Sequence, residues 1–183
     1  KSLVQVGDQV KVGQKIGESE SFVSAPIHSS VSGTVKAVKE VELGTGGKTL
    51  SVVIESDGKD EVDESVKPKG DLSSLSGQEI INIVKEAGIV GMGGAMFPAH
   101  VKLNIPEGKT VDTVLLNGAE CEPYLTVDDR IMVEQPEEVV FGLKALMKAV
   151  DVDKGAIGIE DNTPEAIEAL RKATANEPNI EIV

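Results

Sequence analysis

Aromatic residues are nearly absent from this sequence, which holds no tryptophan, one tyrosine and three phenylalanines in 183 residues. Any core must therefore be aliphatic, because the large buried area that rings supply is missing. Cysteine occurs once, at Cys121. That excludes an internal disulfide and leaves nothing near the four or so ligands an iron–sulfur cluster needs; it fits a reducing compartment. Positive charge is scarce, with 18 Lys and Arg against 31 Asp and Glu and a formal charge of −13. That balance excludes a nucleic-acid partner, since phosphate-backbone binding needs basic side chains, and disfavours direct adhesion to an anionic membrane surface. No apolar run approaches the roughly 20 residues of a spanning helix, and no signal-peptide pattern or internal repeat is visible.

What is present suits a globular protein. Hydrophobic content of 40% is enough for one or two domains with real cores and too much for a disordered chain. The sequence starts at Lys1 without Met and stops at Val183 inside a strand-like run, so it reads as a fragment of a longer protein.

Residues 1–55 read as β structure. Val4, Val6, Val10, Val12 and Ile16 are punctuated by glycine turns, and the runs 31–38 and 50–54 follow. Residues 56–75 are polar and read as a linker. From Ser76 the period changes. Ser76 and Glu79 fit a capping box, and Ile80, Ile83, Val84 and Ala87 share a helical face that Gly88 ends. Val111–Leu116 reads as a buried strand. Gln135-Pro136-Glu137-Glu138 starts a helix with apolar face Val139, Val140, Leu143, Leu146, Met147 and Val150. Residues 155–159 read as a strand, Thr163-Pro164 as the start of a helix with Ile167 and Leu170 inward, and 180–183 as a further strand. Strand–helix alternation implies a largely parallel sheet with right-handed crossovers. The expected fold class is thus α/β: a small β module, then a parallel-sheet domain over 76–183.

The densest signal lies between Gly88 and Tyr124. Four glycines fall within seven residues at 88–94, and Asn117-Gly118-Ala119-Glu120-Cys121-Glu122-Pro123-Tyr124 follows the 111–116 run. Glycines admit a ligand to the backbone, whose N–H groups can cradle an anion; the expectation is that both halves meet around a phosphorylated cofactor. The loop follows a helix, however, and lacks the third glycine of a dinucleotide fingerprint. Alone, it is equally compatible with a tight surface loop. Asn117–Glu120 and Glu160–Asn162 both lie at strand carboxyl ends, where ligands of parallel sheets sit. Neither His28 nor His100 has a ligand-spaced partner, so no metal site is expected. Cys121, between Glu120 and Glu122, is expected to be a dulled nucleophile because both acids raise its pKa. The four methionines are expected in the core.

Two resemblances attach to these residues. Gly7–Ile16 and Ala25–Pro26 through Val35 resemble the biotinyl/lipoyl barrel-sandwich hybrid family. The corresponding hairpin tip, Glu18–Phe22, has no carrier lysine, which implies a structural or docking module over 1–55. Gly91–Pro98, Lys102, Asn117–Tyr124, Asp129-Arg130 and Ile159–Ile167 look like the RnfC family of the Rnf complex, a membrane ion-translocating ferredoxin:NAD oxidoreductase. The same core is similar to the flavin-bearing subunit of respiratory complex I, whose loop reads GRGGAGFP and whose turn reads NADESEP.

The resemblance implies a Rossmann-like FMN/NADH-binding domain and an NADH-linked flavin oxidoreductase subunit. Gly91, Gly93 and Gly94 would lie against FMN and NADH. Lys102 and Asn117 would contact the flavin or its phosphate, and Glu120 and Glu122 would line the flavin and nicotinamide side. Phe97 would stack on the adenine, and Glu160 would sit near the nicotinamide pocket. No catalytic side chain is implied, because hydride chemistry belongs to the cofactors. Met92, Met96 and Ala119 depart from the complex I residues, so no flavin contact carries over to them. The family's cysteine-rich C-terminal segment, with two 4Fe-4S clusters, lies outside this sequence, so the fragment is not expected to pass electrons onward alone. The implied partners are the other Rnf subunits, NADH and, indirectly, ferredoxin; the implied place is peripheral, on the cytoplasmic side of the cell membrane. The alternatives are a flavin-dependent corrin reductase of related architecture and a non-catalytic assembly module.

Overall fold

Short β-branched runs between glycine turns give antiparallel ladders first and a parallel sheet afterwards. The computed structural model describes residues 1–44, 46–92 and 94–183. Contacts divide the chain into two units: Lys1–Gly70 with Asn82–Lys102, and Asp71–Ile81 with Leu103–Val183.

In the first unit, β1 (Gln9–Val10), β4 (Gly33–Glu42) and β5 (Lys48–Ser56) form an antiparallel sheet in the order β1-β4-β5. β2 (Lys15–Gly17) and β3 (Ile27–His28) pair separately, also antiparallel. Val10, Ile16 and Val35 make the core, with Val4, Val38, Val52 and Ile54 against it. Gly33 lies opposite Ser56, and a Cβ there would stand 2.1 Å from the Glu55 carbonyl oxygen. Only glycine permits that approach. Beside it the buried Ser32 hydroxyl donates to Asp57 Oδ1 at 2.6 Å and accepts from the Glu61 N–H at 3.0 Å. Part of the span that reads as linker is strapped down. The Val12 N–H donates to the Glu61 carbonyl and the Asp63 N–H donates to the Val12 carbonyl, each at 2.9 Å. Extended backbone there satisfies groups that the sheet leaves open.

Helix α1 (Gly77–Glu86) opens with the expected box. The Ser76 N–H donates to Glu79 Oε2 at 2.7 Å, and the Glu79 N–H donates back to Ser76 Oγ at 3.3 Å. It closes at Gly88, φ +70°, where the Gly88 N–H reaches the Lys85 carbonyl and the Ile89 N–H the Val84 carbonyl, the hydrogen-bond pair of a Schellman turn. The buried positions are Ile80 and Ile81, while Ala87, expected on the apolar face, is exposed. The short α2 (Ala99–Lys102) ends the first unit's share.

The second unit carries the parallel sheet, order β6 (Thr113–Asn117), β7 (Lys154–Gly158), β8 (Ile180–Ile182). α3 (Val127–Glu134) and α4 (Pro136–Ala149) connect β6 to β7, and α5 (Pro164–Ala173) connects β7 to β8. Leu143, Ile157, Leu170 and Ala166 are fully buried among Met132, Val140, Met147 and Ile180. The core is aliphatic as expected. All four aromatic rings stand away from both cores: Phe22, Phe97, Phe141 and Tyr124 are exposed.

Three further sequence expectations change, and one helix is added. β6 is an edge strand with only alternate residues inward, and Leu115 is 68% exposed, so it is not a buried strand. Helix α3 forms where the sequence shows no helical face of its own. Thr163 does cap α5 in position, but its hydroxyl donates to the Glu160 carbonyl at 2.8 Å and caps no helix N–H. Of the methionines, Met132 and Met147 are buried while Met92 and Met96 are exposed.

Two outcomes follow. Leu143→Ala removes a fully buried side chain and should cost about 2–5 kcal/mol in denaturant unfolding. Asp57 is held below the usual carboxylate range, first by the Ser32 hydroxyl and then by the Lys59 N–H. A depressed folded pKa stabilises above the unfolded carboxylate value, about 4, and that stabilisation disappears as pH falls through the folded value. Ser32→Ala should lower Tm at neutral pH and flatten its decline between roughly pH 5 and 2, followed by circular dichroism; an unchanged profile would remove Asp57 from the acid response.

Candidate functional site

The glycine loop begins where α1 stops. A Cβ on Gly88 would stand 2.8 Å from the Pro26 carbonyl oxygen and 3.4 Å from the His28 ring, so the exit from the helix is fixed against the β3 region. From there the chain makes a closed loop. The Ala99 N–H donates to the Ile89 carbonyl at 3.0 Å and the Gly91 N–H to the Phe97 carbonyl at 2.9 Å, with Val90 bridging Pro98. The described tip residues point outward: Met92 is 86% and Met96 63% exposed, the latter at φ +50°. Gly94, at φ +116°, has nothing within 4 Å of its Cβ position. Gly93 lies outside the described residues. Phe97 at the closing end is 38% exposed.

Lys102 comes from α2 and returns to the loop. Its Nζ lies 3.6 Å from where a Gly91 Cβ would be. Among the described residues no carboxylate pairs with it. Gly91, Gly94, Phe97 and Lys102 are therefore one cluster, on the first unit. Beside Lys102 in α2, His100 is only 3% exposed, and neither ring nitrogen has a partner among the described residues. Its ring meets Phe22 edge-on, with centroids 6.4 Å apart. No local pattern announces this packing, because Phe22 and His100 are far apart along the chain.

The second cluster forms at the carboxyl ends of β6 and β7. Asn117 Oδ1 accepts from the Ala119 N–H at 3.0 Å, an Asx turn, and its amide NH2 has no partner among the described residues. The Gly118 N–H donates to the Gly158 carbonyl at 2.7 Å, drawing the turn across to β7. A Cβ at Gly118 would meet that carbonyl and Met132 Sδ, both at 3.0 Å. The Glu120 carboxylate accepts from the Asp128 N–H at 3.1 Å and the Asp129 N–H at 3.2 Å. It caps α3 from a distance, a task that Thr126, the N-cap residue, does not perform with its own side chain. Glu122 is exposed.

Glu160, beyond β7, accepts a hydrogen bond from the Cys121 thiol, Sγ to Oε1 at 3.4 Å. The Cys121 pKa is raised, as expected, but by Glu160 through that bond and its charge, not by the flanking acids. Thirty-nine residues separate the pair, so no local spacing could announce it. Among the described residues no group of three His, Cys, Asp or Glu side chains is placed to hold a metal ion. Because a thiolate beside Glu160 is disfavoured, Glu160→Gln should lower the Cys121 pKa and speed iodoacetamide alkylation at about pH 8, where the thiolate fraction limits the rate. Equal alkylation rates in both proteins would show that Glu160 does not govern the thiol.

Residues 84–183 match the Nuo51 FMN-binding domain family, and residues 1–59 match the RnfC barrel sandwich hybrid domain. The chain is 55% identical over 180 residues to the C component of the Na(+)-translocating ferredoxin:NAD(+) oxidoreductase complex of Acetobacterium woodii, a match covering 98% of this chain and 41% of that protein. It is 52% identical over 171 residues to the C component of the proton-translocating ferredoxin:NAD(+) oxidoreductase complex of Clostridium ljungdahlii, covering 93% of this chain and 37% of that protein. The C component of the ion-translocating oxidoreductase complex of Haemophilus influenzae is 38% identical over 185 residues, 99% of this chain and 28% of that protein. The chain thus spans less than half the length of these relatives. Among solved structures, an NAD+-reducing NiFe-hydrogenase in the air-oxidised state aligns with a TM-score of 0.51 at 22% identity, over 65% of this chain and 23% of that one, a likeness of fold. With more than half of its residues matched by one family, and with the glycine loop and the Asn117 turn both inside that match, the chain belongs to the Nuo51 FMN-binding domain family.

Proposed function

We propose that this chain is the FMN- and NADH-binding portion of a membrane-associated ion-translocating ferredoxin:NAD oxidoreductase of the Rnf type. Electrons move between NAD(H) and FMN, then onward to iron–sulfur clusters carried by polypeptide outside this sequence. The chain sits peripherally on the cytoplasmic side of the membrane among the other subunits, with ferredoxin reached indirectly. The observation that supports this reading most directly is Lys102, whose ammonium lies against Gly91 in a closed glycine loop with no carboxylate to neutralise it among the described residues.

Each unit by itself carries residues whose chemistry suits part of such a cofactor. Lys102 supplies a point charge for a phosphate, and the small loop residues Gly91 and Gly94 leave room beside it. The Asn117 carbonyl is already engaged by Ala119, so its NH2 is the group that can donate to an acceptor on a flavin edge. Glu120 acts through the backbone: by capping α3 it holds the 117–126 turn at the end of β6. Glu122 and Glu160 bring carboxylates to the same turn, where they repel other anions and orient a cationic nicotinamide ring. Phe97 offers a half-open aromatic face for an adenine. FMN itself supplies the acceptance and donation of hydride.

No helix among the described residues is long and apolar enough to cross a membrane. Titration with FMN, followed by flavin fluorescence, tests the proposed reading. Binding should weaken by about tenfold or more in Lys102→Ala, the loss of one charge-assisted phosphate contact, and measurably in Asn117→Ala. Phe97→Ala should weaken NADH binding and leave FMN binding unchanged. If neither this chain nor the full-length protein binds FMN, the reading fails.

A further inference from the structure

A second cleft lies in the first unit, separate from the glycine loop. It encloses about 760 Å3, within the roughly 300–1,000 Å3 typical of small-molecule sites. Four stretches of chain build it: Gly13 and Lys15 at the start of β2, His28 of β3, the strap after Asp63, and the end of α1. The strap is fastened by the Val12 hydrogen bonds and by the Val66 N–H, which donates to the Asp63 carbonyl at 3.0 Å. Its fit is close. A Cβ on Gly13 would stand 2.3 Å from Val66 Cγ2, so Gly13 is what lets Val66 reach the cleft. Gly91, Phe97 and Lys102 do not line it.

The lining is mostly apolar, with Val66, Ile83 and Ala87, yet it gathers Lys15, Lys67 and Lys69 against a single carboxylate, Glu86. In a chain with 18 cations and 31 acids, this local excess of positive charge is against the composition. The three lysines are in different states. Lys15 pairs with Glu86 at 2.8 Å and Glu18 at 3.4 Å. Lys69 Nζ donates to the Ser65 carbonyl at 2.7 Å. Lys67 is exposed, and its ammonium has no partner among the described residues.

From this combination we propose that the cleft is a binding site for a small amphipathic anion, an acyl or aromatic body ending in a carboxylate or phosphate. The apolar walls give up their water to the body, and Lys67 and Lys69 take the anionic end. A bare inorganic anion leaves the walls wet; a neutral apolar molecule leaves the lysines unanswered. Such an anion has two sources, a free metabolite or the head of an anionic lipid.

The probe is 1-anilinonaphthalene-8-sulfonate, an aromatic body with one anionic group, titrated into the whole chain by fluorescence. We expect a saturable component that weakens with added salt and weakens about tenfold in the double variant Lys67→Glu/Lys69→Glu, as loss of complementary charge requires. Ala87→Glu, an exposed lining position, should abolish that component with the thermal melt retained. FMN binding should be the same in all three proteins. Displacement of the probe by octanoate, with no co-sedimentation on phosphatidylglycerol vesicles, assigns a free anion. Vesicle binding that Lys67→Glu/Lys69→Glu removes assigns a lipid. A probe signal that never saturates, or that both variants leave unchanged while they remain folded, overturns the proposal.

Discussion

The termination of α1 at Gly88 is the constraint on which the first unit's surface depends. A left-handed residue is needed to end the helix with both terminal carbonyls satisfied, and the Pro26 carbonyl leaves no space for a Cβ at that point. The requirement is double, conformational and steric, and glycine alone meets both. It fixes the direction in which the chain leaves the helix. Two consequences follow within the unit: the last turn of α1 becomes a wall of the Lys67 cleft, and the next residues become the closed loop that carries Gly91. The two sites therefore share one structural element while sharing none of the residues that would touch their ligands.

Charge is distributed just as selectively. The chain is strongly acidic, and among the described residues a minority of the cations pair with carboxylates at the surface, among them Lys1, Lys11, Lys36 and Arg130. Such exposed pairs contribute little to stability. The ammonium groups of Lys102 and Lys67, unpaired among the described residues, are informative for where they lie. One lies against the glycine loop and the other lines the cleft. In the second unit the carboxylates do the opposite work. Glu120 is committed to the helix dipole and N–H groups of α3, where an acid is most favourable, and Glu160 is committed to Cys121. A turn that reads as a row of free acids is largely an internal scaffold, with Glu122 left facing solvent.

The aromatic poverty of the sequence has its complement in the structure. Both cores are closed by aliphatic residues, alanine and methionine, and the few rings are at the surface. Phe97 stands at the end of the glycine loop, and Phe22 leans on the buried His100 from the β2–β3 connection. Rings that do not serve packing are free to serve recognition, which gives Phe97 its weight in the proposed adenine contact.

Much of the architecture is written in local chemistry. The capping box at Ser76 and Glu79, the stop at Gly88, Pro136 and Pro164 in first turns, and the alternating runs of β4 and β5 all act within a few residues, so composition and spacing suffice to fix them. The two motifs around Gly91 and Asn117, and through them the family, are legible for the same reason. What the tertiary structure decided depends on residues distant along the chain. Glu120 caps α3, a short helix with a weak apolar pattern and no cap of its own. Glu160 reaches Cys121, Val66 fills the space above Gly13, and β6 lies at an edge with Leu115 uncovered. A sequence declares which groups need partners; only packing chooses which distant group supplies them, because that choice follows from shape and proximity and leaves no local period to read.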